Sequence, residues 1–289
     1  MNPLKTMKHV KLLILAAVAV TTVPSHATIF FNDNFATFAS GDLVGQSGWA
    51  QLGTATSLPL QVAAGQVVIP PGQTTDNQDA WRSLGTQVLP PASGTTPLYV
   101  GLWLTVNQST PAGKNPSYFL GMSPGNLDGS GFVNLRLSTT NDLASGPDNF
   151  RFIARVTGQT GAPWSLGQIR THGLQYKVIL EANLVEGTQN DFLRLFVNPT
   201  GTDVSNETPD LVATLTLGGN GTDPTGLGAF ILSQFGSSTT TGSGVSIGQV
   251  VVGDSFSEVV TAVPEPSVLA LGLTGILLLA AQRRKQQQN

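Results

Sequence analysis

Alternation of apolar and polar residues is the dominant pattern between residues 28 and 262. From Leu98 to Val106 every second residue is aliphatic, and the same period recurs in segments 150–156, 176–180 and 192–197. A period of two sends alternate side chains to opposite faces of a strand, so each segment is expected to bury one face. Gly, Pro, Ser, Thr and Asn separate these segments and predict turns between them.

The pattern predicts an all-β body. About a dozen short strands in one domain favour a single two-sheet antiparallel β-sandwich with Greek-key or jelly-roll connections. No amphipathic helix is evident in this region. No repeat of fixed period is evident either, which disfavours a propeller or a solenoid.

The first 27 residues have the features of a secretory signal peptide. Lysines precede the apolar run 12–20, and the small residues Ser25 and Ala27 follow Pro24. Signal peptidase is therefore expected to cleave between Ala27 and Thr28. The nine residues of the run are too few to span a membrane and remain as an anchor.

Residues 263–289 contain a second apolar segment, between an acidic motif and a basic cluster. In chain order these parts are Pro264, Glu265 and Pro266; the uncharged stretch 268–281; and Arg283, Arg284 and Lys285. A helix over the uncharged stretch would be about 21 Å long, against a hydrocarbon core of about 30 Å. The basic cluster is expected to stay on the cytoplasmic side. The segment therefore predicts a marginal anchor suited to temporary residence in the inner membrane.

In this order at the end of the chain, the three parts resemble the PEP-CTERM sorting signal of Gram-negative bacteria. The resemblance implies processing by an exosortase near the Pro-Glu-Pro motif, followed by delivery to the cell surface or to an exopolysaccharide matrix. The motif would then be a substrate site, because proline keeps the segment extended for a protease cleft. A plain tail anchor is the alternative. The expected division is a signal peptide (1–27), a β-sandwich domain (28–262) and a sorting signal (263–289).

Three stretches of the body carry a second resemblance. They are an opening stretch from Asn34 to Trp49, the segment 193–197 with Asn198 and Pro199 after it, and a closing stretch over 250–256. Together they resemble the laminin-G-like, concanavalin-A-like sandwiches of exported proteins with this sorting tail. The resemblance implies a fold far more than an activity.

Charge and cysteine content narrow the partners of the body. The whole chain has a net charge of −3. Residues 28–262 contain eight Lys and Arg and sixteen Asp and Glu, which gives −8. Such an acidic body is not expected to bind nucleic acid, whose phosphates require a basic surface. The chain has no cysteine, so disulfides and thiolate metal sites are excluded.

Acidic loops are the weak metal candidates. Asp76 and Asp79 lie in one oxygen-rich loop and Asp128 in another, and carboxylates with carbonyls suit calcium. The favoured alternative is that these residues only form turns, so no cofactor is expected. The one body histidine, His172, cannot form a His-rich zinc site.

Catalytic motifs are weak as well. Residues 244–248 match the G-x-S-x-G nucleophile pattern around Ser246, but no histidine follows this serine, as the triad order of that pattern requires. The few body glutamates do not have the E-x-D-x-x-E spacing of laminarinase-type glycoside hydrolases, which share the sandwich fold. The body is therefore not expected to be an enzyme, and glycoside hydrolysis is the least favoured function.

Aromatic residues suggest a binding role. The body tryptophans and tyrosines are Trp49, Trp81, Trp103, Trp164, Tyr99, Tyr118 and Tyr176. Tyr99 and Trp103 share the face opposite the aliphatic stripe of their segment and are the candidates for carbohydrate stacking. Core filling is the alternative. The sequence thus predicts an exported structural protein of the surface or matrix, with a lectin-like polysaccharide-binding module as the alternative.

Overall fold

The structure analysed is a computed structural model. It describes residues 27–53, 57–71, 78–109, 115–116, 118–125, 135–156, 164–187, 190–214, 225–234, 240–241 and 243–263. Several predicted sites lie outside these residues: the calcium candidates Asp76 and Asp128, and the sorting residues Pro264, Glu265, Pro266, Arg283, Arg284 and Lys285. Within the described part of the chain, no helix is long and apolar enough to cross a membrane.

The described residues form eighteen strands, one α-helix and three short 3-10 helices. The strands are β1 (Ile29–Asn34), β2 (Gly41–Asp42), β3 (Trp49–Leu52), β4 (Gln61–Ala63), β5 (Gln66–Ile69), β6 (Asp79–Val88), β7 (Thr95–Gln108), β8 (Asn115–Pro116), β9 (Leu120–Ser123), β10 (Leu135–Asn141), β11 (Asn149–Val156), β12 (Ser165–Thr171), β13 (Gln175–Val185), β14 (Phe192–Val197), β15 (Leu211–Thr214), β16 (Leu227–Leu232), β17 (Thr240–Thr241) and β18 (Gly244–Gly253). The helix is α1 (Phe256–Ala262), and the 3-10 helices cover Phe35–Thr37, Leu143–Ser145 and Val204–Asn206.

Two antiparallel sheets contain all but two of these strands. The nine-stranded sheet has the order β15-β14-β13-β7-β18-β5-β4-β2, and β1 also pairs with β18. The seven-stranded sheet has the order β12-β11-β10-β9-β16-β6-β3. The remaining two strands, β8 and β17, pair in parallel. The predicted two-sheet antiparallel sandwich is confirmed, with more strands than expected because several are only two to four residues long.

One apolar core lies between the sheets. The aliphatic stripe of β7, from Leu98 to Val106, packs in it with Phe150 and Phe152 of β11 from the opposite sheet. Leu193 and Leu195 of β14 point into the same core. The period-two pattern therefore identified which face of β7, β11 and β14 points into the core. In β13 both faces are buried, so the expectation of a half-buried strand was wrong there. Asn198 ends β14 with a positive φ of 53°, which asparagine tolerates better than most residues.

The helix α1 corrects the expectation of a body without helices. Its apolar residues Phe256, Val259 and Val260 are buried at i, i+3 and i+4, which is one helical face. They pack on the outer surface of the nine-stranded sheet, above Gly101. A Cβ atom on Gly101 would lie 2.6 Å from Val263 Cγ2 and 2.7 Å from Val259 Cγ1. Glycine at this position therefore lets the helix approach the sheet closely.

Candidate functional site

Tyr99 and Trp103 lie on the surface covered by α1, which we call the covered face: the outer side of β7, β13, β14 and β18. Tyr99 is only 5% exposed, and its ring packs edge-on against Phe256 with centroids 5.7 Å apart. Trp103 is half-buried and packs against the same apolar cluster. The structure thus confirms that the two side chains share a face, but it buries the Tyr99 ring, so that ring has no free surface for a sugar.

An ion pair lies beside Tyr99 on the covered face. Arg194 donates two hydrogen bonds to Glu181, from Nε to Oε2 at 2.5 Å and from Nη2 to Oε1 at 2.7 Å. Tyr99 Oη donates to Glu181 Oε1 at 3.3 Å. Burial, together with the neighbouring Glu181 carboxylate, raises the pKa of Tyr99, and the bond to Glu181 raises the pKa of Arg194. Glu181, Arg194 and Tyr99 thus satisfy one another's hydrogen bonds, which indicates a role in stabilising the fold.

The outer side of the seven-stranded sheet carries a different set of side chains, which we call the open face: Trp81, Tyr118, Arg136, Arg155 and Trp164. All five are partly exposed. Neighbouring strands place most of them in one row. Trp81 of β6 pairs with Ile231 of β16, which pairs in turn with Gly121 of β9. Gly121 then pairs with Arg136 of β10, and Arg136 pairs with Arg155 of β11. Six strands at about 4.8 Å spacing make this row about 24 Å long from β6 to β12.

The alternation within each strand explains why this row faces outward. Leu135 and Leu137 of β10 point into the core, so Arg136 between them points out. Phe152 and Ala154 of β11 likewise point inward, and Arg155 points out. Buried Ile231 supports the other end of the row, where Trp81 and Tyr118 pack against it.

Each arginine of the open face lies over an aromatic ring. The guanidinium carbon of Arg136 lies 4.7 Å from the centre of the Tyr118 ring, and that of Arg155 lies 4.7 Å from the centre of the Trp164 ring. Burial lowers the pKa of both arginines, and the charge of Arg155 contributes at Arg136. Both remain protonated at neutral pH, because guanidinium groups keep their proton in proteins.

A small cavity adjoins the Trp81 end of the open face. Its volume is about 230 Å³, and Ser83, Thr86 and Gln87 line it together with Trp81 and three glycines. Hydroxyl and amide groups both donate and accept hydrogen bonds. This end of the face therefore combines an aromatic ring with polar groups that can bind hydroxyls.

Ser246 and His172 occupy ordinary structural positions. Ser246 lies inside β18, paired with β7 and β5, and its Oγ accepts a hydrogen bond from Asn107 Nδ2 at 2.9 Å. This is not the strand-to-helix turn of a nucleophile elbow. His172 lies in the turn between β12 and β13, with its ring stacked on Phe150 and Nε2 2.5 Å from Ser109 Oγ.

Asp79 is the described member of the calcium candidates. It is buried, and its two carboxylate oxygens accept hydrogen bonds from Ser233 Oγ at 2.9 Å and from the Gln234 amide at 2.8 Å. Over the residues that the structure covers, no group of three or more His, Cys, Asp or Glu could hold a metal ion. Asp79 thus has a structural role in joining β6 to the end of β16.

The predicted signal cleavage site lies at the rim of the covered face. Ala27 lines an open groove of about 640 Å³ beside α1. The Thr28 amide donates to Asp254 Oδ1 at 2.6 Å, and the Asp254 amide donates to the Thr28 carbonyl at 3.0 Å. The first residue after the predicted cleavage is therefore held to the last strand of the sheet.

The aromatic residues noted in the sequence include Trp81, Tyr118 and Trp164, but the residues predicted to stack on carbohydrate were Tyr99 and Trp103. The sequence alone does not show that α1 covers the nine-stranded sheet, or that β10 and β11 pair in the seven-stranded sheet. The usable signal was the alternation in β11, which sets Arg151 and Arg155 opposite the core. Arg136 was missed because the apolar pattern around it is short.

Comparison with known proteins gives structural likenesses alone. No protein-family model matches the sequence, and no curated protein does. Among solved structures, the CBM2 module of the evolved Dit of Lactobacillus casei BL23 phage J-1 aligns with 79% of this chain and 96% of its own, at 12% identity and a TM-score of 0.41. The Emp47p carbohydrate recognition domain aligns at 11% identity and 0.38, over 79% and 97%. Peanut lectin aligns at 11% identity and 0.35, over 79% and 98%. With such identities and TM-scores below 0.5, these likenesses assign neither a ligand nor an activity to this chain.

Proposed function

We propose that this protein is an exported polysaccharide-binding protein of the cell surface or matrix, and that its open face holds the glycan chain. The observation that carries the proposal is the placement of Trp81, Tyr118 and Trp164. These three partly exposed aromatic side chains lie on one outer sheet face. Pyranose rings present apolar C–H faces, and aromatic rings offer large flat surfaces on which such faces pack.

The length and polarity of the open face favour a chain of sugars over a single sugar. A row of about 24 Å across six strands exceeds the size of one pyranose ring. Ser83, Thr86 and Gln87 beside Trp81 supply donors and acceptors for sugar hydroxyls. A binding face with aromatic surfaces and a few polar groups is the usual composition of a ligand site.

Export and sorting complete the proposal. Signal peptidase would cleave after Ala27, and an exosortase would process the chain near Pro264–Pro266 after transient residence in the inner membrane. The position of Val263 supports this order, because it is fully buried at the C-terminal end of α1 and belongs to the packed body. The sorting segment would thus begin directly after the folded part of the chain.

The binding proposal is tested by alanine substitution on the two faces. Trp81→Ala and Trp164→Ala should each weaken binding to polysaccharides, measured by affinity electrophoresis with a panel of soluble glycans, by roughly tenfold. Trp103→Ala, on the covered face, is the matched control and should leave binding unchanged. Absence of binding to every glycan, or an equal loss with Trp103→Ala, would refute the proposal.

The sorting proposal is tested separately in the native host. Replacement of Pro264, Glu265 and Pro266 by alanines should block processing while export continues, so the precursor without its signal peptide accumulates in the inner membrane. Mass spectrometry of the mature C-terminus gives the readout. A mature chain that ends near Pro264 supports the proposal, and one that still ends at Asn289 contradicts it.

A further inference from the structure

Two arginines face each other on neighbouring strands of the open face. Arg136 of β10 and Arg155 of β11 are direct cross-strand partners. Like charges in this position destabilise a sheet. Burial lowers the pKa of Arg136, and the charge of Arg155 contributes to the same shift. The body as a whole is acidic, so two adjacent cations on one face require a separate explanation.

Carboxylates bind four further arginines of the body. Each forms an ion pair with a carboxylate: Arg82 with Asp33, Arg151 with Asp142, Arg170 with Asp210 and Arg194 with Glu181. Arg155 has no carboxylate partner in the described part of the chain. Its buried Nε has no hydrogen-bond partner there, as is also true of the Nε of ion-paired Arg170. A buried charged donor without a partner costs free energy. The Arg155 side chain as a whole is partly exposed on the face proposed to bind glycan, where a ligand can supply the acidic partner that the described chain does not.

The aromatic ring that stacks on each arginine fixes the orientation of its guanidinium group. The guanidinium of Arg155 packs on one face of the Trp164 ring, and that of Arg136 packs on one face of the Tyr118 ring. A guanidinium held over an aromatic ring keeps its N–H donors at the rim of the stack, where they can reach an oxyanion in bidentate geometry. Stacking also limits the side-chain entropy that would be lost on binding. The pair is therefore pre-organised for an anion.

We infer that the open face selects an anionic polysaccharide, with Arg155 and Arg136 binding acidic groups on the sugar while Trp81 and Trp164 pack against its rings. This inference rests on the proposed polysaccharide-binding function and narrows its ligand class. Carboxylates of uronic acids and sulfate esters share the required chemistry, because both are planar or compact oxyanions that accept two N–H bonds from arginine.

The experiment compares polymers that differ in charge alone. Binding to polygalacturonate is measured beside its fully methyl-esterified form, with dextran sulfate and neutral dextran as the sulfate pair. The acidic member of at least one pair should bind roughly tenfold more tightly than its neutral partner, and this preference should fall as sodium chloride rises. Preference for polygalacturonate would identify the bound acidic group as a carboxylate, and preference for dextran sulfate would identify it as a sulfate ester.

Substitution of Arg155 links the preference to this residue. Arg155→Gln should remove most of the preference for the acidic polymer and leave binding to the neutral polymer unchanged. Arg155→Lys keeps the charge without the bidentate fork and should give an intermediate preference. Arg151→Gln, on the same strand but paired with Asp142, is the control and should behave as the original protein. Equal unfolding temperatures of these variants establish that the fold is retained.

The outcomes separate this inference from the function on which it rests. Equal binding to both members of each pair, with loss in Trp81→Ala, would refute the anionic ligand and leave polysaccharide binding in place. A preference that Arg155→Gln does not change would also refute it. Failure to bind any of the polymers, and any wider glycan panel, would remove both proposals.

Discussion

The two outer faces of the sandwich use similar residues in opposite ways. On the covered face, Arg194 is satisfied by Glu181, and α1 buries the Tyr99 ring beside them. On the open face, Arg155 and Trp164 stack on each other and both remain partly exposed. An arginine and an aromatic ring thus stabilise the fold where a carboxylate pairs with the arginine and a helix buries the ring, and they form a candidate binding surface where neither is present among the described residues.

The comparison shows that residue type alone does not separate structural from binding roles. The two arginines differ in whether a carboxylate of the described chain pairs with them. The Glu181 carboxylate accepts three hydrogen bonds, whereas Arg155 Nε has no partner in the described residues. Changes on the covered face should therefore affect stability, and changes on the open face should affect binding.

The largest effect is expected from Phe256→Ala on the covered face. Phe256 is the apolar anchor of α1 against Tyr99 and Phe196, and truncation of a buried phenylalanine costs about 4 kcal/mol. Urea denaturation would measure the free energy of unfolding. Ser257→Ala, an exposed position on the same helix, is the control. A loss similar to that of the control would mean that α1 does not stabilise the sheet.

A slightly smaller loss is expected from Arg194→Met. The Glu181 side chain is 2% exposed and that of Arg194 is 31% exposed, so the substitution leaves a buried carboxylate without its cation, at a cost of about 3 kcal/mol. The double variant Glu181→Gln, Arg194→Met should recover part of this loss. If the double variant is less stable than Arg194→Met, the buried charge is not the cause.

A smaller, pH-dependent effect is expected at the turn that joins the two sheets. Burial lowers the pKa of His172 below its usual 6.5, so the folded state binds fewer protons there than the unfolded chain. The stability from this group is present above pH 6.5 and is lost as the pH falls through that value. Unfolding free energies measured at about pH 7.5 and pH 5.5 should show a loss that His172→Gln reduces. An unchanged pH dependence in the variant would exclude His172 as its source.

The smallest effect is expected from Ser246→Ala. Ser246 lies on the outer side of the nine-stranded sheet, and the hydrogen bond that it accepts from Asn107 is exposed. Such a change should alter the unfolding free energy by less than about 0.5 kcal/mol and leave glycan binding intact. Covalent labelling of Ser246 by a fluorophosphonate would show instead that this serine is reactive.

Local pattern predicted the strands because burial on one side leaves a period of two. Leu98 to Val106 and the segment 192–197 show this directly. The helix α1 was missed because seven residues give only two turns, and Ser255 with Phe256 follow a strongly apolar strand. The segment is too short for its apolar residues to show a clear helical period of about 3.6 residues.

The candidate site was harder to predict than the fold because it depends on which strands become neighbours. Arg136 and Arg155 are separated by a turn and meet only through the pairing of β10 with β11. Trp164 reaches Arg155 because β12 pairs with β11 in the next position. Sequence alternation correctly gave Arg155 an outward direction, but it could not show that the other sheet has its outer face covered by α1.

The pairing of β1 with β18 has a consequence for how the molecule reaches its native state. The Thr28–Asp254 bond joins residues 226 positions apart, and β18 is also the central partner of β7. Contacts over such separations close late, because chain entropy must be lost before they form. We therefore expect a chain that ends before Gly244 to show no cooperative unfolding transition. For the export proposed above, a fold that is completed only by its last strand would let the chain pass through a narrow pore before it acquires its structure.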